Sequence, residues 1–199
     1  MVAAVKAAAK DGDSLGGVAE VLAYGVPVGL GSHVHWDRKL DGLLAQALMS
    51  IQAVKAVEIG EGWEVAGRRG SAAHDPIRRD DAAPGGYGRT TARAGGIEGG
   101  ISVGGMIVVR VAMKPLATLN RPVLETVDLA TGEPALSFKE RTDVTSVPAM
   151  GVVAETMVAL VLASEALRKF GGDSVAEVVR NRDGFLASLG ETLSPPVDA

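Results

Sequence analysis

The residues best suited to chemistry in this 199-residue chain gather in a few short segments. Glu140-Arg141-Thr142-Asp143-Val144 sets a guanidinium and a carboxylate on the same face of an extended backbone. Such a pair can hold an anion beside a proton acceptor, or it can be a surface salt bridge that contributes little. Lys114-Pro115-Leu116-Ala117-Thr118 places a cation, a rigid bend and a hydroxyl directly after a run of β-branched residues, a common position for ligand contacts. The run Ala94-Gly95-Gly96-Ile97-Glu98-Gly99-Gly100-Ile101-Ser102 lacks the Gly-Lys-Ser/Thr end of a Walker A loop and the strand-turn-helix setting of a Rossmann fingerprint. It can still turn amide donors toward a phosphate, or serve as a tightly packed turn. Arg68, Arg69, Arg78, Arg79, Arg89 and Arg93 lie among Gly, Pro and Asp in residues 67 to 96, either as a solvated surface or as a lid presenting guanidinium forks to an anion. His33 and His35 project from one face of an extended segment, but a metal needs further ligands and His74 is the only other histidine. No metal is expected, and these histidines read as structural or ligand-adjacent. The residues alone thus describe a glycine-rich, anion-binding α/β domain with an Arg/Asp site.

Composition bounds what such a site can serve. The length suits one domain able to bury a core. Glycine accounts for 26 of 199 residues, about twice the usual share, so backbone must turn sharply or approach something closely. A net charge of -4 argues against a nucleic-acid partner held by overall charge. The absence of cysteine rules out disulfides and thiolate metal sites. Lys6 and Lys10 interrupt the alanine-rich start, unlike a secretory signal, and the most apolar stretch, Val152 to Ala163, carries Glu155 and is shorter than a bilayer span. A cytoplasmic protein without a membrane partner is expected, with that stretch a buried helix.

The elements that must position the site follow from periodicity. Val18 to Val26 reads as a strand, followed by a turn at Gly29-Leu30-Gly31-Ser32. Leu40, Leu43, Leu44, Ala47, Leu48, Ile51 and Val54 recur at helical spacing, giving a helix over 38–56. Val57 to Val65 is β-rich, and residues 67 to 96 form a long loop. Ile107 to Met113 is a buried strand ended by Lys114-Pro115. Strands around Val123 to Leu129 and Pro134 to Phe138 flank a hairpin turn at Thr131-Gly132. A second long helix runs from Pro148 to Phe170, stopped by Gly171-Gly172. The domain is expected to cover 1–182, with 183–199 a frayed tail around Ser194-Pro195-Pro196.

In this order the segments resemble chorismate synthase, from about Gly12 to Arg180. The likeness rests on Gly12-Asp13-Ser14-Leu15-Gly16-Gly17, His35-Trp36-Asp37-Arg38-Lys39-Leu40-Asp41, Met49-Ser50-Ile51-Gln52-Ala53, Arg93-Ala94-Gly95-Gly96-Ile97-Glu98-Gly99-Gly100, Met113-Lys114-Pro115, Arg141-Thr142-Asp143-Val144 and Phe170-Gly171-Gly172-Asp173-Ser174. The resemblance implies a lyase that removes phosphate and a proton from 5-enolpyruvylshikimate 3-phosphate in a 1,4 sense to give chorismate, in the shikimate pathway, with reduced FMN and no net redox change. It also associates the family with NADP. Carried over by motif, Gln52, Ala53, Gly99, Lys114, Pro115, Leu116, Ala117, Thr118 and Arg141 are the cofactor-binding positions, and Asp143 is the acidic catalytic residue near the flavin. The implied fold is α/β of the α+β kind, a sandwich of antiparallel sheets around long helices, incomplete here and assembling as a homotetramer. The pattern matches the C-terminal half of the family. Its catalytic histidines, Arg-rich substrate motif and one flavin segment lie in the N-terminal half, with no equivalent found before Gly12. Ala92 and Val103 stand where the family usually has Asn. The expectation is therefore a fragment inactive alone and completed by a complementing N-terminal half, or else a non-catalytic remnant that keeps part of the flavin site or an assembly surface.

Overall fold

The computed structural model describes residues 1–191. The alanine-rich start forms α1 (Val2–Asp11), closed by amides of Gly12 and Asp13 that donate back to Ala9 and Ala8 carbonyls. β1 (Gly17–Val26) follows, then α2 (Leu40–Met49) and β2 (Val54–Ile59). After the short α3 (Gly62–Ala66) and α4 (Gly70–Ala73) come the ribbon strands β3 (Ile77–Arg79) and β4 (Tyr87–Arg89), then β5 (Ile97–Glu98) and β6 (Ile101–Ser102). β7 (Gly105–Met113), the hairpin of β8 (Glu125–Val127) and β9 (Pro134–Leu136), α5 (Val147–Phe170) and α6 (Val175–Glu191) complete the chain.

The centre is a three-stranded antiparallel sheet in the order β1-β7-β2. Alternation decides its faces. Val109 and Val111 of β7 are wholly buried with Val21 of β1, while Arg110 turns to the other side. On the buried face α2 contributes Leu40, Leu44 and Leu48, spaced one turn apart and fully buried, and α5 contributes Met150, Ala154 and Val158. On the opposite face Arg110 donates to Glu20 at 2.7 Å and to Glu58 at 3.1 Å, its partners across both strand pairs. The class is thus α+β with antiparallel sheet and long helices, and among the described residues one face of this sheet has a helical layer.

Several expected boundaries move, each for a physical reason. The helix expected over 38–56 is α2, only Leu40–Met49, because residues 36–38 form a 3-10 turn and Ala53 adopts a left-handed φ of 64° that no helix continues through. The β-rich stretch ends at Ile59 and gives way to α3. The long loop at 67–96 contains α4 and the β3-β4 ribbon. Its two ends are tied by the buried carboxylate of Asp75, which accepts from the Thr91 hydroxyl and from the amides of Arg93 at 2.8 Å and Ala94 at 3.0 Å. Three of the loop's six guanidinium groups pair with nearby carboxylates, Arg68 with Glu61 and Glu64, Arg79 with Asp81 and Arg89 as a fork with Glu98, while Arg78 and Arg93 donate to the backbone carbonyls of Ile77 and His74. The expected buried helix is buried on one side alone, with Val152 64% and Leu160 58% exposed. α5 spans 24 residues and by length and composition could cross a bilayer, yet it packs on β1 and α2 as a core helix does. Regular structure does not stop at Arg182. α6 continues to Glu191, held by Phe185, whose ring lies 5.9 Å from that of Phe170 and 4.0 Å from Lys169 Nζ. Ser194-Pro195-Pro196 lies outside the described residues.

Two predictions arise from this frame. Burial pushes the Asp75 carboxyl up, but hydrogen bonds from Thr91, Ala94 and Arg93 and the Arg93 charge outweigh it and leave it below the ordinary carboxylate value. A depressed folded value means stabilisation that is full above the unfolded pKa of about 3.9 and lost as pH falls through the folded one. Asp75→Asn should cost about 1–3 kcal/mol at pH 7, and denaturant melts should show its gap to wild type narrowing below pH ~4. At Ala53, Val should cost about 1–2 kcal/mol more than Ala because a β-branched side chain resists positive φ. Gly should stay within about 1 kcal/mol of wild type, since relief of strain is offset by greater freedom of the unfolded chain. Both are read as midpoint shifts at constant m-value.

Candidate functional site

Three backbone segments meet at one end of the sheet because Met113, the last residue of β7, pairs with both Gly17 and Val54. Residues 12–16 enter β1 there, Gln52 and Ala53 enter β2, and Lys114 to Thr118 leave β7. The Lys114 amide donates to the Ala53 carbonyl at 2.9 Å, which ties two of the segments directly. The Ser14 hydroxyl donates to the Leu116 carbonyl at 2.6 Å. Between them Gly16 sits so close that a Cβ would lie 2.3 Å from the Met113 oxygen and 2.9 Å from the Pro115 nitrogen. A side chain there would push the Lys114 segment off the sheet end.

The fourth segment, Arg141 to Asp143, is fastened to the same place. Leu15 donates its amide to the Val144 carbonyl at 2.7 Å, Glu140 donates its amide to the Leu119 carbonyl at 3.0 Å, and the Thr118 and Thr142 hydroxyls lie 2.9 Å apart. Gln52, Ala53, Lys114 to Thr118, Arg141 and Asp143 therefore share one neighbourhood although they span some ninety positions of sequence. Lys114, Arg141 and Asp143 are exposed, and none of them is in an ion pair among the described residues. Arg141 and Asp143 form no salt bridge with each other. An arrangement of two cations, a hydroxyl and a carboxylate on turn backbone can bind an anion and handle a proton.

Gly99 stands apart. It occupies the tip of the β5-β6 ribbon, where Gly100 accepts the Leu40 amide at 2.8 Å. That is the start of α2, whereas Gln52 and Ala53 follow its end, and ten helical residues rise about 15 Å. Around this second point Gly31, at φ 91°, is hemmed in by Gly100 and Leu40. Its amide and carbonyl are gripped from α5: Glu165 Oε2 accepts the amide at 3.2 Å and Arg168 Nη2 donates to the carbonyl at 2.7 Å. Sequence reasoning assigned no role to Glu165 or Arg168, although a carboxylate three residues before an arginine inside an apolar helix was the available signal. It also gave Asp13 and Ser14 no part. His35 Nδ1 lies 2.7 Å from Asp37, His74 offers only its carbonyl to Arg93, and no group of three or more metal-ligating side chains occurs among the described residues.

A cavity of about 860 Å³ opens beside the β3-β4 ribbon, walled in part by Ile77, Tyr87, Arg89 and Met106. Ala92 and Val103 both line it, and none of the expected cofactor-binding residues does. A shallower groove of about 440 Å³ runs between α2 and α5 past Leu43, Ala47, Met157, Leu160 and Val161.

Known proteins supply the context for this geometry. The chorismate synthase family model matches residues 1–167. The chain is 62% identical over 189 residues to the chorismate synthase of Thermobifida fusca, covering 95% of this chain and 47% of that protein. It is 63% identical over 193 residues to that of Kocuria rhizophila, covering 97% and 45%. A crystal structure of chorismate synthase superposes with a TM-score of 0.79 at 43% identity, over 96% of this chain and 48% of that one. The chain thus spans about half the length of the curated relatives it matches. With the family model, the sequence identities and the fold in agreement over nearly all of its length, the chain belongs to the chorismate synthase family.

Proposed function

We propose that this chain forms the flavin-facing wall of a chorismate synthase, the lyase that converts 5-enolpyruvylshikimate 3-phosphate to chorismate and phosphate. The observation that carries the reading is the convergence of Gln52-Ala53, Lys114 to Thr118 and Arg141 to Asp143, with Lys114, Arg141 and Asp143 left unpaired. The residues fit a flavin mononucleotide in kind: two cations and a hydroxyl for its anionic and polar edges, and tight turn backbone for close approach. When bound, reduced FMN would lend electron density that eases departure of the phosphate and recover it as the proton is lost, so no net oxidation occurs. Arg141 and Lys114 would orient the bound anionic groups, and Asp143 would hold or accept a proton at its carboxylate oxygen. Removal of water from this wall would strengthen each of those interactions. A cytoplasmic setting accords with this chemistry.

The wall is open, since neither cavity is lined by these residues. The outer face of α5 exposes Val152, Val153, Leu160 and Leu167, and the outer face of β1 exposes Val18, Leu22 and Tyr24 around the Glu20–Arg110 ion pair. The rest of the relatives' length is the occupant that suits them, as a complementing half, within the homotetramer that the family suggests. The same openness supports a second reading, in which the chain retains a partial flavin surface and no activity.

FMN titration by fluorescence quenching should show binding that Arg141→Ala weakens about 10-fold or more. Chorismate should form when the chain is mixed with the remaining half of a relative, and not from the chain alone. Turnover by the chain alone would refute the need for a complement, and no FMN binding with no activity on mixing would favour the second reading. Sedimentation should show concentration-dependent association, and Val153→Glu with Leu160→Glu should shift the chain toward monomer without lowering its melting temperature.

A further inference from the structure

We infer that Ser14 is a positioning residue for the proposed flavin wall, an assignment that rests on the reading just given. Ser14 is 6% exposed, so its hydroxyl is withdrawn from water and must be satisfied by protein. It donates to the Leu116 carbonyl at 2.6 Å, in the middle of the Lys114 to Thr118 turn and 102 positions away in sequence. Its own amide is held by the Asp13 carboxylate at 2.8 Å, and the other oxygen of that carboxylate takes Arg121 Nη2 at 2.6 Å. Gly12 accepts the Asn120 amide at 3.1 Å, and Leu15 donates to Val144 at 2.7 Å. Residues 12–15 therefore bind the turn after β7 on one side and the Arg141-Asp143 strip on the other. Of these contacts, the Ser14 hydroxyl is the one made by a buried side chain directly to the expected cofactor turn.

The consequence is geometric. A turn that opens on Lys114-Pro115 and exposes Lys114, Pro115, Ala117 and Thr118 has little packing of its own. Fixing the Leu116 carbonyl sets the direction of the backbone between Lys114 and Thr118, and hence the spacing of their side chains relative to Arg141. Without it the same cations would be present but spread over many arrangements, and a ligand would have to order them on binding.

Hydrogen-exchange mass spectrometry on the 199-residue chain, combined with FMN titration, tests this. Ser14→Ala should raise exchange in peptides covering 114–121 and 140–145 about fivefold or more, leave the β1, β7 and α2 peptides unchanged, and weaken FMN binding about 10-fold, the loss of one buried hydrogen bond. Ser14→Thr, which keeps the hydroxyl, should restore both readouts. Unchanged exchange at 114–121, failure of Thr to rescue, or a uniform loss of protection across the sheet in Ser14→Ala would each overturn the positioning role. Absence of FMN binding by the wild-type chain would count against the proposed flavin wall, while the exchange pattern would still decide whether Ser14 fixes the turn.

Discussion

Strand β7 is hydrogen-bonded along both edges, and the register of that double pairing places everything else. Met113 faces Gly17 on one side and Val54 on the other, so three chain segments leave the sheet at one point. A slip of one residue would turn Val109 and Val111 to solvent and bring Arg110 into the core. The correct register lines up Glu20, Arg110 and Glu58 across the three strands. Exposed ion pairs add little stability, but this set forms only in the native pairing and so marks it.

Arg68, Arg79, Arg89, Arg110, Arg121 and Arg168 each have a carboxylate partner. Lys114 and Arg141 have none among the described residues, as is true of the other lysines and of Arg69, Arg78 and Arg93, but they stand beside Asp143 on tied backbone. An exposed cation in water needs no partner, since the solvent serves it. It becomes a strong donor only when a ligand displaces that water, which is why unpaired charge on a turn held rigid from behind is the informative combination.

Much of the frame was legible from apolar spacing. Branched residues between turn signals located β1 and β7, and the Leu40-Leu44-Leu48 stripe and the Pro148 to Phe170 run located both long helices. Periodicity failed where it was satisfied by accident: Ile51 and Val54 continue the α2 stripe in sequence, yet the left-handed Ala53 between them begins a new element. It was silent at residues 67–96, where polar contacts such as the Asp75 carboxylate and the Arg89–Glu98 fork, with the β3-β4 ladder, supply order that no apolar periodicity announces. Phe185 was too isolated to announce that α6 runs past Arg182. Motif order assigned the Lys114 and Arg141 segments to one site, and the structure ties those segments through Thr118 and Thr142, but no spacing rule links Ser14 to Leu116 or separates Gly99 from Lys114. Those are facts of tertiary geometry.

The interior is also completed late in the order of synthesis. β1 emerges first and must wait some ninety residues for β7, and the face carrying Val21, Val109 and Val111 stays uncovered on one half until α5 arrives at Val147–Phe170. Until α5 docks, that apolar face lacks half of its cover, the kind of surface chaperones recognise. Pairings so distant in sequence also form slowly. The interval between the synthesis of β1 and the docking of α5 is thus a window in which the apolar face is open to association.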